Sequence, residues 1–198
     1  MVEEPARFEN CLVMVVMSSG LRHLLDRDAV SPEQLARFVR DQQRYISTPF
    51  RQLANVSLSF DFNFIQAVWR IDHDSTFQIA QALGTFVEAT KSSEAFCRQT
   101  FKHDDSLAAL HAGLDVGPLL IAPSRAIGEV ITSAVAFAEE AIRQGWRVII
   151  PRELYEFIKA KHEKPLPAEI LEVKATVRRR REIVPLSLND AAYLSEWG

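Results

Sequence analysis

The densest group of chemically active side chains in this 198-residue sequence is a run of four arginines, Arg178, Arg179, Arg180 and Arg181. Guanidinium groups bind phosphate and carboxylate oxygens, so the run predicts contact with an anion such as a nucleotide, a lipid headgroup or an acidic partner. The alternative is a solvated loop or an edge strand protected by charge. The basic character is local, because residues 143–184 hold 11 basic and 6 acidic side chains whereas the rest holds 12 and 20.

A second group of polar side chains alternates with a row of phenylalanines. The order along the chain is Ser57, Leu58, Ser59, Phe60, Asp61, Phe62, Asn63 and Phe64. A period of two is that of a β-strand, so we predict a hairpin over residues 56–71 with its turn near residues 61–63. A phenylalanine row on one strand face predicts core positions, and the alternative is a surface that docks a base or a lipid.

His111 is the histidine with the clearest surroundings, because it stands in an apolar stretch beside Gly113. We predict a packed strand residue, and the alternative is a ligand-binding side chain. Ser18 and Ser19 precede Gly20, but the Gly-x-Ser-x-Gly frame of a nucleophile elbow is absent.

Composition narrows the class of protein. The 26 acidic and 23 basic residues give a net charge of −3, which argues against a nucleic-acid binder. With only 7 glycines, a Gly-rich phosphate loop is not expected. Cys11 and Cys97 are two distant thiols, as in a reducing compartment, and no apolar run approaches the ~20 residues of a membrane span. We therefore expect a cytoplasmic protein without a membrane span.

Strand and helix patterns alternate along the chain, which predicts an α/β or α+β domain with a central sheet. A valine-rich run over residues 11–17 predicts a central strand, and Ser31 before Pro32 predicts a helix start. Predicted helices cover residues 31–53, 74–91, 92–102, 128–144 and 151–161. Predicted strands cover residues 11–17, two segments within 107–122, residues 146–150 and two segments within 169–187. The amphipathic tail, residues 186–198, either docks on its own domain or is a recognition peptide.

Residues 110–119 and 127–136 resemble class III adenylate and guanylate cyclases. The first stretch resembles their Gly-x-x-x-Gly-Pro strand pair and the second their Gly-x-x-Val-Asn-x-Ala-x-Arg helix, followed by similar residues at 145–150 and 153–155. The resemblance covers roughly residues 9–175. It implies a ferredoxin-like, mostly antiparallel central sheet with flanking helices, in a domain over residues 1–175 followed by a basic strand and tail over 176–198.

The family shares its active site across a homodimer, so the resemblance also implies which positions would hold the site. The metal-binding aspartates fall at Met17 and Asn63, with Asp61 two residues from the latter. The residues that read the base fall at Ser59 and Arg125, and the Asn and Arg for the transition state fall at Thr132 and Ala136. These seven positions define a vestigial pocket without the family's catalytic side chains. We therefore expect no enzyme activity, no metal and no cofactor.

The function expected from these features is that of a pseudoenzyme: a signalling or regulatory module that acts as a homodimer and through an unidentified protein partner. The alternative is a sensor that binds a nucleotide or another anionic small molecule in the vestigial pocket, without turnover. A third reading is an altered enzyme that uses Asp61 and Glu129. Nucleotide turnover would separate the third reading from the first two.

Overall fold

The computed structural model describes residues 7–20, 24, 31–71, 75–101, 107–122, 125–160, 171–173 and 180–196. Within them lie eight strands and five helices. The strands are β1 (Arg7–Ser18), β2 (Val56–Phe60), β3 (Phe64–Arg70), β4 (Leu110–Ala122), β5 (Arg125–Ile127), β6 (Val148–Pro151), β7 (Leu171–Val173) and β8 (Arg181–Leu186). The helices are α1 (Pro32–Arg51), α2 (Ser75–Phe101), α3 (Glu129–Gln144), α4 (Arg152–Ala160) and α5 (Leu188–Ser195).

The strands form one sheet in the order β2-β3-β1-β4-β6-β8-β7, and β5 pairs with β4 beside this path. Every pair is antiparallel except β4 with β6. The predicted α+β class with a mostly antiparallel sheet is therefore confirmed. The predicted boundary between residues 175 and 176 remains a prediction.

Strand β1 lies at the centre of the sheet because both of its faces are apolar. Leu12, Met14 and Val16 pack in the larger core cluster, under residues of α1, α2, α4 and α5. Cys11 and Met17 belong to the opposite face, which packs against α3. Helices on both faces explain why the sequence of this strand is continuously apolar rather than alternating.

Two local sequence signals fix helix ends as expected. Ser31 caps α1 with a capping box, in which its side chain accepts from the Gln34 amide and the Gln34 side chain accepts from the Ser31 amide. Gly145 ends α3 with φ 76°, a left-handed conformation that glycine adopts without steric cost.

Two predicted breaks are wrong. Helix α2 runs unbroken through residues 91–93, because the Ser93 hydroxyl is buried and donates to the Ala108 carbonyl oxygen at 2.9 Å instead of ending the helix. Strand β4 passes straight through Gly113 as one 13-residue strand. There the missing side chain admits α3, since a Cβ atom on Gly113 would lie 2.0 Å from the Ala134 carbonyl oxygen.

The tail docks on its own domain. Its helix α5 begins with a second capping box at Ser187 and buries Ala191 and Leu194 in the larger core cluster. A Cβ atom on Gly84 of α2 would lie 3.2 Å from Ser195 Cβ, so the two helices are in close contact.

Candidate functional site

The turn of the β2–β3 hairpin lies where the sequence predicts it, at residues 61–63, beside the end of β1. Asp61 Oδ1 accepts from the Phe62 amide at 2.6 Å, so this carboxylate is used by its own turn. Gln43 of α1 donates through Nε2 to the Asp61 carbonyl oxygen at 2.5 Å. The turn is thereby tied to α1.

Besides Asp61, three of the predicted pocket positions lie near this turn. Met17 pairs with Phe64 across the sheet, but its side chain is buried in the cluster that packs against α3. Ser59 is exposed on the edge strand β2. Asn63 and Gln42 line a cavity of about 20 Å³. This cavity has room for one water molecule and not for a nucleotide.

The residues at the hairpin end do not fit the two metal ions that the resemblance implies. Such ions bind several oxygen ligands, whereas Met17 offers a buried thioether and the Asp61 carboxylate already accepts from its own turn. No three His, Cys, Asp or Glu side chains among the described residues are placed to hold a metal ion. We therefore derive no chemistry through a metal here.

Of the other predicted positions, Arg125 and Thr132 lie towards the far end of β4, and Ala136 lies further along α3, in the part of the helix that packs on Gly113. Arg125 pairs with Ala122 in the short β5–β4 ladder, and α3 begins just after β5. Thr132 is exposed on α3 and Ala136 is half-buried there. Because β1 and β4 are antiparallel, Ser18 pairs with Leu110 at the hairpin end, far along β4 from β5. A single chain thus holds Arg125 and Thr132 apart from the predicted positions at the hairpin.

The prediction that the phenylalanine row is core is wrong for two of its members. Phe60 is 45% exposed and Phe62 is 54% exposed, whereas Phe64 is partly buried against α3. The alternation that assigns one face holds only within a strand, and the turn at residues 61–63 interrupts it. Arg51 lies over the Phe60 ring, with Cζ 5.4 Å from the ring centroid.

A group of opposite charges that sequence reasoning missed lies between β4 and β8. Asp115 is 2% exposed, and its Oδ2 accepts from Arg181 Nη1 at 2.5 Å while its Oδ1 accepts from the Val116 amide at 2.8 Å. The Ser133 hydroxyl donates to the same carboxylate. Burial raises the pKa of Asp115, and the Arg181 charge and these hydrogen bonds offset part of that rise. The available signal was a single acid in the apolar strand 110–122.

This buried pair forms the floor of a cleft of about 450 Å³, here called the arginine cleft. Its charged and polar lining comes from β4, the starts of α3 and α4, and β8. These residues are Asp115, Glu129, Ser133, Glu153, Arg180 and Arg181. Of the predicted arginine run, Arg178 and Arg179 lie outside the described residues, and Arg181 contacts two carboxylates of its own chain, Asp115 and Glu153.

His111 is a packed strand residue, as predicted. Its Nδ1 lies 2.6 Å from the Trp146 carbonyl oxygen and its Nε2 lies 3.3 Å from Ser19 Oγ. Burial lowers the pKa of His111, because the charged imidazolium loses its hydration. The histidine therefore links the end of β1 to the loop before β6.

None of the helices in the described part of the chain has the length and apolar character needed to cross a membrane. No family model matches the sequence, and no curated protein matches it.

The fold defined by this sheet, hairpin and α3 is that of class III adenylyl and guanylyl cyclase domains, as the sequence resemblance predicts. The chain is similar to the adenylyl cyclase CyaB from P. aeruginosa, with a TM-score of 0.67, 13% identity, and coverage of 93% of this chain and 97% of that one. It is similar to the guanylyl cyclase Cya2, with a TM-score of 0.68, 10% identity, and coverage of 92% and 93%. It is also similar to an adenylate/guanylate cyclase/hydrolase from Silicibacter pomeroyi, with a TM-score of 0.64, 13% identity, and coverage of 92% of this chain and 99% of that one.

These comparisons contradict the prediction that the chain is not an enzyme, because the solved domains that share its fold are named as adenylyl or guanylyl cyclases. That prediction assumed that each catalytic residue of the family aligns with one fixed position of this sequence. At 10–13% identity the match fixes the path of the backbone but not which side chain fills which role. Loss of activity therefore does not follow from the residues at the seven pocket positions.

Proposed function

We propose that this chain is a signalling domain that acts as a pair of identical copies and through contact with a protein partner. The observation that carries the proposal is the uncovered aromatic tip of the β2–β3 hairpin. Phe60 is 45% exposed and Phe62 is 54% exposed, although they stand only two residues apart in the chain. Aromatic residues are enriched in protein interfaces, so a second copy that covered the tip would remove this apolar area from water.

A second exposed apolar residue supports a particular geometry for the pair. Ile127 in β5 is 47% exposed, at the end of the sheet opposite the hairpin. The 12 residues of β1 span about 40 Å, so one chain cannot cover its hairpin with its own β5. A twofold axis can place the hairpin of each copy against the β5 end of the other.

Two sets of predicted pocket positions, one at the hairpin and one formed by Arg125 and Thr132, lie apart in one chain and support the same geometry. Asn63 lies at the hairpin end, and Thr132 lies near the β5 end on α3. In the family that the sequence resembles, the site is shared across a homodimer. A pair arranged hairpin to β5 would bring the two sets together from different copies.

The experiment is sedimentation velocity over a concentration series, with wild-type chain, Phe62→Ser and the matched control Phe77→Ser. Phe77 on α2 is 55% exposed, so its replacement removes a similar apolar area from another surface. Covering half a phenylalanine in each of two copies contributes about 2 kcal/mol, so Phe62→Ser should raise the dissociation constant of the pair roughly thirtyfold. A monomeric wild type, or equal weakening by both variants, contradicts the proposal.

A second candidate function is binding of a nucleotide between the two copies. It is favoured by the separation of the predicted pocket positions, and at the hairpin a nucleotide would need walls from a second copy, because the cavity of one chain there is only about 20 Å³. A thermal-shift series with ATP, GTP and their cyclic forms tests it. Stabilisation that Phe62→Ser weakens would support nucleotide binding by the pair, and no shift with any nucleotide would refute it.

A further inference from the structure

We propose that the arginine cleft binds a small oxyanion, a phosphoryl or carboxylate group, through Arg180 and Arg181. The cleft has a volume of about 450 Å³, within the range of small-molecule sites. It is separate from the hairpin tip, and its wall is built from four elements of one chain. The proposal therefore goes beyond pairing, and every residue that it uses belongs to one chain.

The floor of the cleft holds one guanidinium in a fixed place. Arg181 donates to the buried Asp115 carboxylate at 2.5 Å, and its Cζ lies 5.7 Å from the centroid of the Phe137 ring. A buried ion pair adds little to the stability of a fold, because desolvation of the two charges offsets their attraction. What the pair does supply is a planar cation whose orientation is set before any ligand arrives.

Arg181 has donors beyond those that hold it. A guanidinium carries five N–H groups, and within the described residues Arg181 makes two hydrogen bonds, to Asp115 and to Glu153. The bond to Glu153 is long, 3.4 Å, and the Glu153 side chain is 74% exposed. The Glu153 carboxylate therefore lies where an oxyanion could accept from Arg181, and its side chain can rotate into solvent to make room for one.

The chemistry of the cleft favours an anion over a cation. Asp115 accepts from the Val116 amide, from Ser133 and from Arg181, so it has little capacity left for a metal ion or an amine. Arg180 adds a second guanidinium to the lining. Helix α3 begins beside the cleft at Gly128, which has no side chain to cap the first amides.

Two acidic residues in the lining of the cleft limit its affinity for an anion. Glu129 stands in the first turn of α3 and Glu153 in the first turn of α4, both in the lining. Their charges repel an anion and so reduce its affinity in the wild-type chain. This predicts that removing the Glu153 charge strengthens binding, which no purely structural role for the arginines would produce.

The test is isothermal titration of the full chain with inorganic phosphate and, separately, with acetate, at constant ionic strength. We expect saturable binding of at least one anion by the wild type. Glu153→Gln should tighten it by up to about fivefold, and Arg180→Ala should weaken it about tenfold or more. Arg40→Ala, which removes a guanidinium from the surface of α1, is the matched control and should change nothing.

Comparing the two anions identifies the class of ligand, and comparing the variants separates loss of binding from loss of folding. Tighter binding of phosphate than of acetate assigns the site to phosphoryl ligands, and the reverse assigns it to carboxylates. Asp115→Asn combined with Arg181→Gln should abolish binding, while Arg180→Ala keeps the test valid if that double variant does not fold. Absence of saturable binding in the wild type, or binding unchanged by Arg180→Ala and Glu153→Gln, overturns the proposal, whatever the oligomeric state.

Discussion

Removal of the Arg181 side chain should expose the energetic cost of the buried carboxylate below it. In Arg181→Ala, the Asp115 carboxylate, which is 2% exposed in the wild type, loses the cation that faces it at 2.5 Å and keeps the hydrogen bonds from the Val116 amide and Ser133. Breaking a buried pair by removing one partner costs about 3–5 kcal/mol, because the remaining charge stays desolvated and uncompensated. A domain of this size has roughly 5–15 kcal/mol of stability, so the variant should fold but unfold at much lower urea.

The pH dependence of this loss identifies its cause. Burial raises the pKa of Asp115 and Arg181 offsets part of the rise, so the variant should have a still higher folded-state pKa. When the pKa of an acid is higher in the folded than in the unfolded state, its stabilising contribution is full below the unfolded pKa. That contribution is lost as the pH rises through the folded pKa. The free energy of unfolding of Arg181→Ala should therefore increase as the pH is lowered from 8 to 5, by at most about 1.4 kcal/mol per pH unit for one proton.

The assay is urea unfolding followed by far-UV circular dichroism at several pH values. Adding Asp115→Asn to Arg181→Ala removes the buried charge, so the double variant should recover part of the lost stability and lose the extra pH dependence. A cost below about 1 kcal/mol for Arg181→Ala, or a pH profile parallel to that of the wild type, would show that Asp115 is not left as an uncompensated buried charge.

Two further predictions concern packing around β1 and β4. Gly113→Ala should destabilise the fold by more than about 3 kcal/mol, because its Cβ would meet the Ala134 carbonyl oxygen at 2.0 Å. Gly145→Ala meets no atom within 4 Å and carries only the cost of φ +76°, about 1–2 kcal/mol, so urea midpoints should separate the two. Cys11 is fully buried, and burial raises its thiol pKa to about 11, so a disulfide reagent at pH 8 should modify it only at the rate of unfolding. Fast modification of Cys11 in the native chain would show that α3 does not cover β1.

Most of the fold could be predicted from the sequence because its signals are local. The capping residue Ser31, the terminator Gly145 and the hairpin alternation each act through neighbouring atoms, and each element lies where they predict it. The breaks between residues 91 and 92 and around Gly113 were mispredicted, because the effects of Ser93 and Gly113 depend on distant partners. A serine inside a helix satisfies its hydroxyl on another segment, and a glycine inside a strand admits a helix.

The candidate site was less predictable, because it depends on tertiary contacts. The pairing of Asp115 with Arg181 joins residues 66 positions apart, and nothing in either local sequence indicates the partner. The exposure of Phe60 and Phe62 depends on where a turn interrupts the strand period. The resemblance predicted the fold correctly. Assigning each catalytic role of the family to one position of this sequence, however, was not enough to predict that the protein has no activity.

Cross-linking between copies is the most direct test of whether two copies meet hairpin to β5. Phe62→Cys and Ile127→Cys chains, each carrying one new surface thiol, are mixed and oxidised, while the native cysteines remain buried. If the copies pair in this way, a disulfide-linked dimer should form in the mixture faster than in either variant alone. A mixture that cross-links no faster than one of Phe77→Cys with Ile127→Cys would contradict it.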